Sequence, residues 1–338
     1  MPIDLRSDTV TRPTPAMRQA MFEAEVGDDV WGEDPGARRL EAKAAELLGK
    51  EAALFVPSGT MANQIALQLH CRPGQSVILA PGSHTVLYES GAGAALAGVQ
   101  FDMAGEWGPF DVDAFRAAVH PDEYHFSPSR LVVLENTHNR SGGRVFPQSD
   151  VRAIAEAARA AGMAVHMDGA RLWNAAAATG LTPADLAREA DTVSACFSKG
   201  LGAPVGSVLV GPRDLIREAR RVRKMLGGGM RQIGMLCAAA EYALDHHRER
   251  LIDDQRRARR LAEGLRELPG VEIDLDSVET NIVGFEVDGP AASFADGARK
   301  AGVWISPTSQ TTLRAVTHLE IGDADIDAAL DAFAGLCG

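Results

Sequence analysis

The 338-residue sequence lacks the features that mark extracellular, membrane or nucleic-acid-binding proteins. It has only four cysteines, widely scattered, so it offers no disulfide framework and is typical of a chain with reduced thiols. It has no long hydrophobic run, since its longest uncharged stretch, 52–71, contains proline, glycine, asparagine and glutamine. Positive charge is also scarce: 34 Lys and Arg stand against 46 Asp and Glu, a net charge of -12. We therefore expect neither a nucleic-acid partner nor a membrane span.

Length and composition indicate a compact chain. At roughly 150 residues per domain the sequence corresponds to about two domains, enough to bury a core without disulfides or metal ions. Hydrophobic residues make up 46% of the chain and charged residues 24%, which is typical of a globular protein. Residues 1–10 lack the basic start and apolar run of a signal peptide, so we expect a cytoplasmic protein.

Apolar segments alternate with alanine-rich helical segments from residue 52 to residue 224. Several of the apolar segments have no polar alternation, which is typical of strands buried on both faces. The strand-like segments are 52–56, 76–79, 99–103, 131–134, 164–167, 192–197 and 207–210, and the helical ones are 61–70, 112–119, 151–161 and 213–224. This alternation predicts an α/β fold with a mostly parallel sheet.

The pattern changes after Gln232. Helical segments between 233 and 268 are followed by short strand-like segments and a final helix. We therefore predict a large domain of residues 1–245 and a small C-terminal α+β domain of residues 246–338.

Polar residues follow the strand-like segments, at the sheet edge where open α/β folds bind their ligands. The groups are Ser58-Gly59-Thr60, the segment around Ser83-His84, 135–138, Asp168-Gly169-Ala170-Arg171 and Ser198-Lys199-Gly200. Ser58-Gly59-Thr60 precedes a helix, so its amides and hydroxyls form either a phosphate cradle or an ordinary helix cap.

Asp168 and Lys199 carry the most specific chemistry. Asp168 ends an apolar strand, and a buried carboxylate needs hydrogen-bond donors or a positive partner such as a protonated heterocyclic nitrogen. Lys199 follows the next strand and can form a Schiff base, although a single lysine is more often a surface residue. A phosphate cradle, an aspartate and a lysine in this order are the three points that hold pyridoxal 5'-phosphate.

Eight segments give the chain a family resemblance over essentially its whole length. They are DLRSDTVTRPTPAM, VGDDVWGEDP, KEAALFVPSGTMANQIAL, LENTHN, HMDGARLWNA, SKGLGAPVGS, RKMLGGGMRQ and VTHLEI. In this order and spacing they make the chain resemble the low-specificity L-threonine aldolases. These belong to the aspartate-aminotransferase-like (fold type I) superfamily of pyridoxal-phosphate enzymes, so the resemblance implies that fold for the large domain.

The resemblance also implies residues that bind the cofactor. Lys199 matches the lysine that bonds to the cofactor, and Asp168 matches the carboxylate that keeps its ring nitrogen protonated. His84 would stack on one face of the ring, and Ala170 would lie beneath the other. The implied cofactor-binding residues are Ser58, Gly59, Thr60, His84, Asp168, Ala170, Arg171, Lys199, Lys224 and Arg231.

Other matches concern the substrate and the assembly. Ser7, in a segment 1–15 that would reach the active site, joins Arg171 and Arg314 in a group that holds the substrate carboxylate. Tyr88 either lies near the side-chain pocket or packs as an ordinary aromatic residue. The loop with Lys224 and Arg231 would reach the neighbouring subunit's cofactor, which implies a homodimer as the minimal active unit and a homotetramer as the usual assembly.

The implied reaction is cleavage of L-threonine or L-allo-threonine to glycine and an aldehyde. His84, His125 or a bound water would take the β-hydroxyl proton, because imidazole titrates near neutrality. The same cofactor residues would serve a phenylserine aldolase, a β-eliminating enzyme or a serine hydroxymethyltransferase-like enzyme. An aminotransferase is less favoured, and a non-catalytic descendant would be expected to have lost Lys199 or Asp168.

No metal site is predicted. His166 and Asp168 occupy alternate strand positions, a spacing that is common by chance, so a core histidine is the favoured interpretation. The acidic group at Asp28, Asp29, Glu33 and Asp34 is interpreted as an exposed loop, with a structural cation as the alternative.

Overall fold

The computed structural model describes residues 2–337, which form thirteen β-strands and thirteen α-helices. The strands are β1 (Ile3–Asp4), β2 (Ala52–Val56), β3 (Ser76–Leu79), β4 (Gln100–Met103), β5 (Ser129–Glu135), β6 (Ala164–Gly169), β7 (Thr192–Cys196), β8 (Ser207–Gly211), β9 (Val271–Glu272), β10 (Ile282–Val287), β11 (Val303–Trp304), β12 (Ser306–Pro307) and β13 (Thr312–Val316). The helices are α1 (Pro15–Phe22), α2 (Pro35–Leu47), α3 (Gly59–His70), α4 (His84–Leu87), α5 (Val112–Ala118), α6 (Gln148–Ala160), α7 (Leu172–Thr179), α8 (Pro183–Ala187), α9 (Arg213–Met225), α10 (Gly234–His246), α11 (Leu251–Arg266), α12 (Ala291–Lys300) and α13 (Asp323–Ala334).

A seven-stranded sheet organises the larger part of the chain. Its strand order is β2-β8-β7-β6-β5-β3-β4, and only β8 runs antiparallel to its neighbours within the described residues. The link from β7 to β8 contains no helix, so it returns the chain antiparallel instead of making a helical crossover. The other six strands end at the same edge, where the polar groups predicted from the sequence therefore converge.

The small sheet has the order β12-β13-β10-β9 and a separate apolar core. The amino-terminal strand β1 pairs in parallel with β11, and Leu5 packs into this second core. Within α11, Leu251 packs with the main core, whereas Ala258 packs with the second. The domain boundary near residue 245 stays a prediction.

The seven apolar segments predicted as strands of the large sheet form β2 to β8. Some of these strands end at different residues than predicted, and two of the differences affect the site. β5 extends to Glu135 and β6 extends through Asp168, so both carboxylates belong to the sheet itself. Their Cα atoms are paired in register, which places them side by side on adjacent strands. Helix α3 begins at Gly59, so it contains Gly59 and Thr60 of the predicted phosphate-binding group, and Ser58 caps it. In residues 2–337 no helix combines the length and apolar character that a membrane crossing needs.

Candidate active site

Asp168 lies buried at the carboxyl end of β6 and has no cationic side chain bonded to it in residues 2–337. One carboxylate oxygen, Oδ2, accepts a 2.8 Å hydrogen bond from Asn63 Nδ2, and Oδ1 accepts a 3.1 Å bond from the Ala170 amide. The side chain is only 2% exposed. A buried carboxylate with neutral donors alone suits a ligand that brings its own positive charge.

The predicted phosphate loop is a helix start with free amides. Ser58 caps α3 by accepting a 3.2 Å hydrogen bond from the Met61 amide, which leaves the amides of the first turn directed outward. A Cβ atom added to Gly59 would lie 2.9 Å from Cys196 Sγ, so the close approach of α3 to β7 requires glycine there. Thr60 is half-buried and Ser58 is exposed.

A cavity of about 1050 Å³ opens beside Lys199. Seven of its lining residues are Ser7, His84, Tyr88, Asn139, Arg171, Lys199 and Arg314. The large-domain strand ends, the amino-terminal segment and β13 therefore all contribute to one space. Of the residues predicted from the sequence, Ser58, Gly59, Thr60, Asp168 and Ala170 lie at the same sheet edge without lining the part of this cavity that residues 2–337 enclose.

His84 begins α4 and is fixed by two buried carboxylates. Its Nδ1 lies 3.0 Å from Glu89 Oε1, and its backbone amide donates to Glu135 Oε2 at 2.5 Å. Burial lowers the pKa of His84, but the bond to Glu89 and the charge of Asp168 outweigh burial and leave that pKa above its ordinary value. Burial and the nearby charge of Asp168 raise the pKa of Glu135 to about 7.

Arg171 and Arg314 both line the cavity but differ in their partners. Arg171 is buried and donates from Nε and Nη2 to Asp8, at 2.7 Å each, so a bidentate ion pair already occupies two of its donors. Burial would raise the pKa of Asp8, but the charge and hydrogen bonds of Arg171 lower it to about 2. Arg314 donates to Asn139 Oδ1 at 2.8 Å and has a buried Nε with no partner in the described chain. Arg314 therefore offers a donor and a charge that no carboxylate neutralises.

Three predicted site residues lie away from this cavity in the single chain. His125 is exposed in the loop before β5, with Nε2 3.7 Å from Glu123. Lys224 donates to the Gly229 carbonyl at 3.3 Å, and Arg231 donates to Asp28 at 2.8 Å from an exposed position. Their predicted roles therefore stay predictions that require a second copy of the chain. Tyr88 lines the cavity mouth and is 48% exposed, with its ring 5.5 Å from that of His84.

Several residues that hold the predicted ones in place were not predicted from the sequence. They are Asp8, Asn63, Glu89 and Asn139, whereas Glu135, which bonds the His84 backbone amide, was noted only as part of a polar strand end. Two signals were available, the LENTHN segment at the end of a strand and the polar pair Asn63-Gln64 within helix α3. Neither signal identifies the partner, because these contacts join residues far apart in the chain.

No metal ion is assigned at this site. One potential donor atom each from His84, Glu89 and Asp168 lies within 4.8 Å of the other two. The amide of Asn63 stands between the two carboxylates and donates to both at 2.8 Å. These hydrogen bonds account for the cluster without a cation.

The fold and this strand-end site define a class of pyridoxal-phosphate fold type I enzymes, and comparison with known proteins agrees. The family model described as "Beta-eliminating lyase" matches residues 4–288, and the chain belongs to that family. It is 46% identical to "Low-specificity L-threonine aldolase 1" of Arabidopsis thaliana, over 98% of this chain and 95% of that protein. It is 43% identical to the "Low specificity L-threonine aldolase" of Escherichia coli strain K12, over 94% of each chain.

A solved structure confirms the fold class. The threonine aldolase of Leishmania major superposes with a TM-score of 0.86 at 22% identity, covering 100% of both chains. The predicted resemblance and the predicted α/β fold with a mostly parallel sheet are therefore confirmed.

Proposed function

We propose that this protein is a pyridoxal-phosphate-dependent aldehyde-lyase. It cleaves L-threonine, L-allo-threonine and related L-β-hydroxy-α-amino acids between Cα and Cβ to give glycine and an aldehyde. The observation that carries the proposal is that Lys199 and a buried Asp168, which has no ion pair within residues 2–337, lie at the same edge of the sheet. Near-full-length identity of 43–46% to proteins named low-specificity L-threonine aldolases supports the substrate class.

The residues present fit pyridoxal phosphate. Asp168 would face the protonated ring nitrogen, the amides of α3 after Ser58 would bind the phosphate, and Lys199 would bond to the aldehyde carbon. Ala170 and His84 would flank the ring. When bound, the cofactor withdraws the electron pair of the bond that breaks.

Residues of the chain itself would determine which substrate bond is cleaved. Arg314, with its unpartnered Nε, would hold the substrate carboxylate together with Ser7, and Arg171 would add the donor that Asp8 leaves free. These contacts with the carboxylate would fix the conformation of the bound substrate so that its Cα–Cβ bond is aligned for cleavage. His84 would take the β-hydroxyl proton, and the Cβ–O bond would become the aldehyde as Cα–Cβ breaks.

A second copy of the chain would complete the site. Ser58 is exposed in the single chain, and the basic loop residues Lys224 and Arg231 do not line the chain's own cavity. Large apolar side chains near these residues in the sequence are also exposed: Met225, next to Lys224, at 69%, and Trp31, three residues after the Asp28 that bonds Arg231, at 76%. We therefore propose a homodimer as the active unit and a homotetramer as its assembly, with His125 placed at a site only by that assembly.

The cytoplasm is the proposed compartment. The four cysteines, Cys71, Cys196, Cys237 and Cys337, carry free thiols. A chain of this size with unpaired, mostly buried thiols suits a reducing environment.

Product analysis with L-threonine tests the proposed reaction. We expect acetaldehyde and glycine, with L-allo-threonine cleaved as well. Formation of 2-oxobutyrate would instead identify a β-eliminating enzyme, and a keto acid with pyridoxamine phosphate would identify an aminotransferase. Including L-phenylserine in the panel tests the phenylserine aldolase alternative.

The Lys199→Ala variant tests the covalent role of the lysine. Wild-type protein is expected to be yellow and to be bleached by borohydride with label on Lys199, whereas the variant should lose aldol cleavage. The control variant is Lys300→Ala, because Lys300 is an exposed lysine at the end of α12. Appreciable turnover by Lys199→Ala, or a colourless wild type that ignores added cofactor, would contradict the proposal.

A further inference from the structure

The contact between His84 and Glu89 fixes which imidazole nitrogen carries a proton. Glu89 is buried, and its two carboxylate oxygens face donors from three side chains. Asn63 donates at 2.8 Å, Gln64 at 2.7 Å, and His84 Nδ1 lies 3.0 Å away. A carboxylate among such donors acts as an acceptor, so Nδ1 of His84 must be the donor.

The orientation of Asn63 is fixed independently. Its Nδ2 faces two carboxylates, Glu89 and Asp168, and its Oδ1 faces Ser194 Oγ at 2.9 Å and His166 Nε2 at 3.1 Å. Carboxylates only accept and a hydroxyl can donate, so the amide cannot be reversed. Asn63 thereby anchors Glu89 and Asp168 in one network.

The buried histidine His166 also belongs to that network. Its Nδ1 lies 2.9 Å from the Thr192 hydroxyl and 3.1 Å from the Thr192 carbonyl, and that hydroxyl lies 2.9 Å from His70 Nε2. Burial lowers the pKa of His166 to about 4, so the ring is neutral. Its Nε2 lies 3.1 Å from Asn63 Oδ1, which also accepts from the Ser194 hydroxyl. The core histidine expected from the sequence is therefore a structural member of the site's hydrogen-bond network.

From this geometry we infer that Glu89 and Asn63 are positioning residues that hold a proton on Nδ1 of His84 and leave Nε2 as the proton acceptor toward the cavity. Nε2 has no hydrogen-bond partner among residues 2–337, and the His84 side chain is 30% exposed at the cavity wall. Glu89 does not touch the cavity, because its side chain is 0% exposed, so it acts through His84. The inference rests on the proposed function for its catalytic meaning, although the tautomer itself does not.

Several charged groups face His84 and set its titration. Glu89 and Asp168 favour the imidazolium, and Lys199 opposes it. Glu135 binds the His84 backbone amide, and Tyr88 lies beside the ring. Of these groups Glu89 alone bonds the ring, so replacing it should change the tautomer while the other charges stay.

Nitrogen-15 solid-state NMR on the holoenzyme labelled at histidine tests the inference directly. The chain has nine histidines, and a His84→Asn sample identifies the two ring signals that belong to His84. At about pH 9, where imidazole is neutral, the wild type should have a protonated Nδ1 and an unprotonated Nε2. A protonated Nε2 in the wild type would overturn the inference without reference to any variant.

Glu89→Gln tests the functional consequence. Loss of the negative partner should lower the pH at which His84 titrates, move the acid limb of the kcat profile to lower pH, and reduce kcat by about 10- to 100-fold. Unchanged His84 signals in a folded Glu89→Gln protein would contradict the inference. Asn63→Ala should cause a smaller shift of the same sign.

Asp102→Asn is the matched control, since Asp102 also pairs with a histidine, His120, at 3.3 Å but lies outside the cavity. It should leave the His84 signals and the acid limb where they are. If the wild type has the expected tautomer but releases no aldehyde from L-threonine, the proposed function fails while the tautomer assignment stands.

Discussion

At the scale of single residues, the site depends on which charges are already paired. Arg171 and Arg314 both match a carboxylate-binding arginine, yet only Arg171 has a buried carboxylate, Asp8, bonded to it. Asp8 also accepts from Asn281 at 3.4 Å. An arginine neutralised in this way is mainly structural, so under the proposed function we expect Arg314 to contribute more of the positive charge that binds a substrate carboxylate.

The Asp8–Arg171 pair predicts a specific acid sensitivity. The pKa of Asp8 is about 2 in the folded chain against 3.8 ordinarily, so the unfolded chain binds the proton more readily. Above about pH 4 the ion pair therefore adds about 2 kcal/mol to the free energy of unfolding. This stabilisation is lost as the pH falls toward 2. Urea unfolding at a fixed protein concentration, repeated stepwise down in pH, measures it.

The variant Asp8→Asn should lose that acid-dependent step and be less stable at pH 7, because it leaves Arg171 buried without a counter-charge. The control is Asp327→Asn, which breaks the exposed pair with Arg260 and should cost at most about 1 kcal/mol. Equal pH dependence in wild type and Asp8→Asn would show that the buried pair is not the source.

Residue types at strand ends could be predicted from the sequence, but their partners could not. Asp168 and Lys199 stand out because an apolar strand precedes each. Asn63 reaches Asp168 across 105 positions and Asp8 reaches Arg171 across 163, and no local pattern encodes such separations. The positioning residues therefore emerge only from the folded chain.

At the scale of secondary-structure elements, the buried strands were the easiest to predict. An uninterrupted apolar segment such as β2 is identified by composition alone, whereas the two-residue strands β1, β11 and β12 are defined only by their pairing. The antiparallel direction of β8 likewise follows from a helix-free connection, which periodicity does not measure.

The start of α3 offers a test of how closely one helix must approach a strand. In Gly59→Ala the new methyl group would meet Cys196 Sγ at 2.9 Å, so α3 must shift from β7. We expect the affinity for pyridoxal phosphate to fall by about tenfold, at an overpacking cost of about 1–3 kcal/mol. Titration of the apoenzyme with the cofactor, followed by absorbance, measures this affinity.

Removing the sulfur should relieve the clash. Gly59→Ala combined with Cys196→Ala should recover most of the affinity, while Cys196→Ala alone should bind the cofactor nearly as wild type does. If the double variant binds as weakly as Gly59→Ala, the close contact with β7 does not explain the glycine.

At the scale of the whole molecule, the net charge does not predict the charges inside the cavity. The chain carries -12 overall, and acidic side chains such as Glu272 and Glu286 line part of the cavity, yet Lys199 and Arg314 line it as well. An acidic surface disfavours polyanions such as nucleic acid, whereas cationic side chains inside a cavity can still bind a phosphate or a carboxylate. Composition therefore predicts the partners of the surface and not those of the site.

In the proposed dimer, the basic loop with Lys224 and Arg231 acts on the neighbouring chain's site, and mixed dimers can distinguish this from action within its own chain. Lys199 belongs to the chain's own cavity, whereas Arg231 lies outside it. Lys199→Ala and Arg231→Ala chains should each be nearly inactive alone. Unfolding the two variants together and refolding them at equal amounts should restore about a quarter of wild-type activity, because half of the dimers are mixed and one of their two sites is intact.

That restored site would combine Lys199 from the Arg231→Ala chain with Arg231 from the Lys199→Ala chain. If Arg231 served only its own chain, every site in a mixed dimer would lack one of the two residues and no activity would return. A mixture of Lys199→Ala with Asp168→Asn gives the matched control, since both residues lie at the same sheet edge of one chain. That control mixture should stay inactive, so recovery confined to the Arg231 pair would assign the basic loop to the partner's site.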